Sequence, residues 1–122
     1  MDAIRLAVIR NRKLLIVKKK NDWLLPGGKP KNESDIGCLV REIGEELSGS
    51  RAIVGKHYKD FTGRVEHKPN PWTERVYFGE ILGAVKPSQE ISDALFDCAF
   101  DKYNMSEVTK KIIESLKGDN YI

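Results

Sequence analysis

The chain has 122 residues, 40% of them hydrophobic and 32% charged, with a formal net charge of +3. That length suits one domain spanning residues 1–122, and the composition excludes a disordered or low-complexity chain. The small positive excess suits an anionic ligand but falls short of the dense basic stripe of a dedicated nucleic-acid binder.

In chain order, "IRLAVI" at Ile4–Ile9 predicts a strand, Asn11-Arg12 a turn, and "KLLIVKK" at Lys13–Lys19 a second strand completing a hairpin. A short extended piece, Trp23–Leu25, runs into Pro26-Gly27-Gly28, which reads as a turn. A helix is then predicted, with Ser34 as its cap, Asp35 in its first turn, and Ile36, Leu39, Val40, Ile43 and Leu47 as its apolar face. Glu42, Glu45 and Glu46, related by three and four positions, share another face. Gly44 interrupts this helix at a cost of about 1 kcal/mol against alanine, and the sequence offers no reason for it beyond close packing.

Ala52–Asp60 and Thr73–Leu82 read as further strands joined by a loop containing "HKPNP", and a short strand is expected near Ala94–Phe100. Asn104 and Glu107 have capping-box spacing ahead of a last helix that buries Val108, Ile112, Ile113 and Leu116 and stops at Gly118. The pattern is an α/β mixture around one sheet system.

Cys38 and Cys98 lie far apart, with no second Cys or His at ligand spacing, so neither a zinc site nor a disulfide framework is expected. "MDAIRLAVIRNRK" lacks the apolar core and cleavage site of a signal peptide, and no run approaches the roughly 18 apolar residues of a membrane span. A cytoplasmic setting is the expectation.

The chemistry lies in "PGGKPKNESDIGCLVREIGEELSGS", Pro26–Ser50. Glutamates crowded on one helix face repel one another, and a hard divalent cation such as Mg2+ is the natural compensation, since it binds carboxylates together with substrate phosphates. Counted from Gly27, Glu33 follows after five residues, Arg41-Glu42-Ile43 after seven more, and Glu45-Glu46 after one. This spacing resembles the Nudix box, G-x5-E-x7-R-E-U-x-E-E-x-G-U, where U is a bulky aliphatic residue. "WLLPGGK", "YFGEILG" and "EISDALF" are similar to the segments that surround the box in that family, so the resemblance covers nearly the whole chain. Ser48 and Gly49 depart from its last glycine and aliphatic positions, and Asn32 stands where many members carry glycine. Those changes bear on loop geometry, with a helix ending one residue later and Gly49 as its left-handed cap.

The resemblance implies a Nudix-type α/β/α sandwich with a mixed β-sheet, and a metal-dependent pyrophosphohydrolase. Its substrate would be a nucleoside diphosphate derivative: a nucleoside triphosphate, a dinucleoside polyphosphate or a nucleotide sugar. It implies Glu42, Glu45 and Glu46 as ligands of Mg2+, with Mn2+ as a substitute, and one of them as base without singling it out. Glu33 and Arg41 would orient the helix through an ion pair, Gly27 and Gly28 would shape the loop, Lys29 would meet a phosphate oxygen, and Glu90 corresponds to an additional acidic-loop glutamate. The partner expected is a small nucleotide, with an RNA 5′ end as the sole nucleic-acid option, no membrane, and a monomer or homodimer. The alternative is a catalytically silent Nudix-fold module that binds a nucleotide or RNA. Trp23 and Trp72 are candidates to stack on a base; core packing competes for Trp23, while Trp72 draws interest only from its loop position after Pro71.

Overall fold

A computed structural model describes residues 1–122. The first two strands, β1 (Ala3–Arg10) and β2 (Lys13–Lys19), form the expected hairpin. Its two-residue turn puts both Asn11 and Arg12 at positive φ, the conformation that matches the twist of the flanking strands. After β3 (Asp22–Leu24), residues Gly27–Gly28 form a two-residue strand, β4, antiparallel to β1, where a turn was expected. The reason is steric: Gly27 has φ 141° and lies so close to β1 that a Cβ would stand 2.0 Å from the Ile4 carbonyl oxygen. Only a glycine backbone can pair at that distance.

Helix α1 (Asp35–Glu46) is capped by Ser34, whose Oγ accepts from the Gly37 N–H at 3.0 Å. Strands β5 (Arg51–Gly63) and β6 (Trp72–Leu82) form a long antiparallel hairpin, and β6 runs parallel to β1 from Ala3–Glu74 to Val8–Gly79. The last strand, β7 (Ile91–Asp97), starts earlier than expected, because its register is set by antiparallel pairing with β2. Helix α2 (Glu107–Gly118) follows. The strand order is β3-β2-β1-β6-β5, with β4 added to β1 and β7 to β2, a mixed and mostly antiparallel sheet system. No helix is long and apolar enough to cross a membrane.

Two cores explain the sandwich. On one side Cys38, Leu39, Ile43 and Leu47 pack with Ile4, Leu6 and Val8; on the other, Ile112, Ile113 and Leu116 of α2 pack with Ala7, Leu14, Ile16 and Val76. β1 therefore feeds both layers by strand alternation. This is the α/β/α arrangement expected from the resemblance.

Several local expectations are corrected. Ile36 and Val40 are 55% and 38% exposed, so only the edge of the α1 stripe formed by Leu39, Ile43 and Leu47 is buried. The N-terminal end is tied by polar contacts instead: Tyr77 and Arg75 both donate to Asp35. Gly44 is exposed, and a Cβ there would meet only the Ser50 carbonyl at 4.0 Å, so close packing does not explain it. The α1 cap residue is Leu47, and Gly49, at φ 78°, lies in the turn that follows. Asn32 does adopt a positive φ of 50°, as the tolerance of asparagine allows. The α2 cap is Ser106, while the Asn104 side chain donates to Asp22.

Candidate active site

The short β4 strand runs against the middle and C-terminal half of α1, so that box residues far apart in sequence meet. Arg41 is the hub. Its guanidinium donates to Glu33 through Nε at 3.1 Å and Nη2 at 2.5 Å, to Glu42 through Nη1 at 2.7 Å, and to the Lys29 carbonyl at 3.0 Å; Glu45 lies 3.7 Å away. The planar fork of arginine suits this task, since it reaches two carboxylates and a carbonyl at once. Glu33 in turn accepts from the Lys31 N–H, and Arg41 holds its carboxyl below the usual range. The ion pair expected between Glu33 and Arg41 is thus present and clamps the loop to the helix.

The two glycines fit tightly. Gly27 donates its N–H to Glu46 Oε1 at 2.9 Å. Gly28 lies against Glu42, where a Cβ would stand 2.3 Å from the carboxyl carbon. The glycines therefore shape the carboxylate cluster directly. Burial pushes the Glu46 carboxyl up to about 7; the Gly27 N–H and the Arg5 charge oppose the rise, and Glu42 adds to it.

A cleft with about 40 Å³ of free space is lined by Lys19, Glu42, Glu45, Glu46, Gln89 and Glu90. Glu90 comes from the turn before β7 and lines the same cleft as the box glutamates. Its carboxylate pairs with Lys19 at 2.9 Å. Lys29 is not part of this lining: its ammonium lies 5.6 Å from the Trp72 ring centre. Trp72 itself is 5% exposed and belongs to the core, as does Trp23, so neither presents an open face to a base. Cys38 is buried and its thiol is pushed up to about 11 by that burial, which suits packing rather than reactivity.

Sequence reading missed Gln89 and Arg5. Arg5 is 8% exposed and pairs with Glu74 at 3.1 Å, while Trp72 Nε1 donates to the same Glu74 oxygen at 3.0 Å. The available signal was an arginine at an inward position of an otherwise apolar strand, which a buried partner must satisfy.

Four carboxylates around one polar cleft, with cations at its rim, form a donor set of the hard-oxygen type that divalent cations prefer. With Arg41 and Lys19 engaged, no three acidic groups converge into a ready-made cage. The fit is one of donor chemistry.

The NUDIX domain family model matches residues 2–115. The chain belongs to the Nudix family. Among curated proteins none matches this Nudix chain. Among solved structures it is similar to a UDP-X diphosphatase, at 25% identity and TM-score 0.76 over 96% of this chain and 62% of the other, so it spans less than two thirds of that protein. It is similar also to an ADP-ribose pyrophosphatase from Streptococcus suis, at 25% identity and TM-score 0.69 over 94% of this chain and 85% of the other. A MutT Nudix hydrolase from Burkholderia pseudomallei shares the fold at 20% identity and TM-score 0.78, covering 92% of this chain and 94% of the other.

Proposed function

We propose that this Nudix protein is a divalent-cation-dependent pyrophosphohydrolase that cleaves the diphosphate linkage of a nucleoside diphosphate joined to a second group. The observation that carries the reading is the cleft that Glu42, Glu45, Glu46 and Glu90 line beside the Arg41–Glu33 clamp. The UDP-X diphosphatase and ADP-ribose pyrophosphatase likenesses support the substrate class.

Glu42, Glu45 and Glu46 would hold the cation, Mg2+ or Mn2+. When bound, it neutralises diphosphate charge and polarises the linkage toward attack by water. Arg41 holds Glu42 in place, Gly27 holds Glu46, and Gly28 leaves the Glu42 carboxyl room to face the cleft. An acidic group of this cleft takes the proton from the attacking water. Lys19, paired with Glu90 at the rim, supplies positive charge for a phosphate oxygen entering there.

The test is product release from a panel of nucleoside diphosphate derivatives with Mg2+ or with EDTA, for the parent chain and for Glu45→Gln and Glu46→Gln. Metal-dependent turnover that collapses in both variants is expected. Nucleotide or RNA binding without turnover of any panel member would replace the enzyme with the silent binding module.

A further inference from the structure

Lys29 leaves the carboxylate cluster at its backbone, where Arg41 holds its carbonyl, but its side chain runs to the Trp72 indole. Lys68, from the loop between β5 and β6, reaches the same ring, its ammonium 5.7 Å from the centre. The two ammonium groups are therefore no more than about 11 Å apart, and flexible four-carbon stems let both swing toward one ligand. Neither has a carboxylate partner among the ion pairs of the chain.

The ring that gathers them is fixed. Its N–H is held by Glu74, which is held by buried Arg5, and the indole packs against Ala3 and Val108. Lys68 shares that ring with Lys29, whose carbonyl is held by the same Arg41 guanidinium that holds Glu42, and this ties the pair to the carboxylate cleft. Lys68 also lines a second cleft, of mixed charge, with Arg64, Glu66 and Glu107. Nearby acids are largely engaged, Asp2 with the Thr73 N–H and hydroxyl and Glu107 with Lys111. Glu66 is the exposed exception.

We propose that Lys29 and Lys68, gathered on the Trp72 indole, form an anion subsite beside the diphosphate cleft that receives a further phosphate of the substrate. The inference rests on the proposed hydrolase reading and sharpens it. A nucleoside triphosphate, or a longer polyphosphate, fills both the cleft and the subsite; a nucleotide sugar, with two phosphates only, leaves the lysines without a partner. Two cations lacking a carboxylate are worth most to such a ligand through charge-assisted hydrogen bonds.

Two readouts test this. In the first, kcat/KM for a nucleoside triphosphate is divided by that for ADP-ribose. The ratio falls about tenfold in Lys68→Gln, the loss of one hydrogen bond to a charged group, and holds in Lys110→Gln, an exposed lysine on α2 with the same change of net charge. In the second, calorimetry compares Mg2+ tripolyphosphate with Mg2+ diphosphate. The parent prefers tripolyphosphate, and Lys68→Gln removes the preference. If no panel member is hydrolysed, the hydrolase reading falls, yet a tripolyphosphate preference lost in Lys68→Gln still supports the subsite. Equal binding of the two anions, a ratio unchanged in Lys68→Gln, or an equal effect of Lys110→Gln overturns it.

Discussion

Replacing Gly28 with alanine isolates positioning from folding. The new Cβ would stand 2.3 Å from the Glu42 carboxyl carbon and 2.5 and 2.7 Å from its oxygens, against the 3.4 Å or more of ordinary contact, so the carboxyl must retreat by about 1 Å. What moves is the far end of a flexible side chain, and Gly28 does not have a positive φ, so the fold is expected to lose no more than about 1–3 kcal/mol, the usual cost of overpacking. The 2.7 Å contact between Arg41 and Glu42 is disturbed, and a misplacement of about 1 Å in a catalytic group costs on the order of 100-fold in rate. Gly27→Ala is the contrasting case. Its Cβ would meet backbone, 2.0 Å from the Ile4 carbonyl oxygen, at a φ of 141°, so the β1–β4 pairing is lost and the protein unfolds or melts far lower. The assay pairs thermal melting with steady-state turnover of the best panel substrate. Gly28→Ala melting near the parent with kcat down about 100-fold is the expected result. Full activity in Gly28→Ala, or a melting loss matching that of Gly27→Ala, refutes the steric account.

Arg41→Lys keeps the charge but loses the fork that reaches Glu33, Glu42 and Lys29, so kcat should fall at least tenfold and the Mg2+ concentration for half activity should rise; titration with Mg2+ reads both. In EDTA, stability should fall as pH rises from about 4.5 through about 7: the folded Glu46 carboxyl keeps its proton to higher pH than the unfolded one, so deprotonation favours unfolding. Urea melts at pH 5 and pH 8 should differ through this group by up to about 3 kcal/mol, and Glu46→Gln should flatten the difference. Arg5→Met leaves Glu74 buried without its cation and should cost about 3–5 kcal/mol, with much of the loss restored in the double variant Arg5→Met/Glu74→Leu; denaturant melts of the three variants decide it.

The box was legible because its residues act at fixed helical phase: Arg41, Glu42, Glu45 and Glu46 lie within six positions of one another, and local spacing alone puts their side chains together. The strands were legible from β-branched runs, but their ends were not, since the start of β7 at Ile91 depends on pairing with β2 some 70 residues earlier. The apolar stripe of α1 was readable as a stripe, yet nothing local marked that Ile36 and Val40 would stay in solvent while Leu39, Ile43 and Leu47 became buried. Trp72 was harder still. Its core position depends on Ala3 and Val108 from opposite ends of the chain, and on a hydrogen bond to Glu74 that means little unless Arg5 is beneath it.

Arg5 therefore links two features that sequence spacing keeps apart. Its backbone lies opposite Gly27 in the β1–β4 pair, and Gly27 supplies the N–H that holds Glu46. Its side chain donates to the Leu25 carbonyl, just ahead of that glycine, and to Glu74, which fixes Trp72. A buried ion pair is a poor source of stability compared with an apolar pair of the same size, and the Nε of Arg5 is buried without any partner at all. Stability alone does not account for such a residue. Its positive charge opposes the upward pull of burial on the Glu46 carboxyl, and through Glu74 it fixes the indole that the Lys29 and Lys68 ammonium groups both approach. Arg5 thus ties the strand segment that pairs with Gly27 to the glutamate that fixes Trp72.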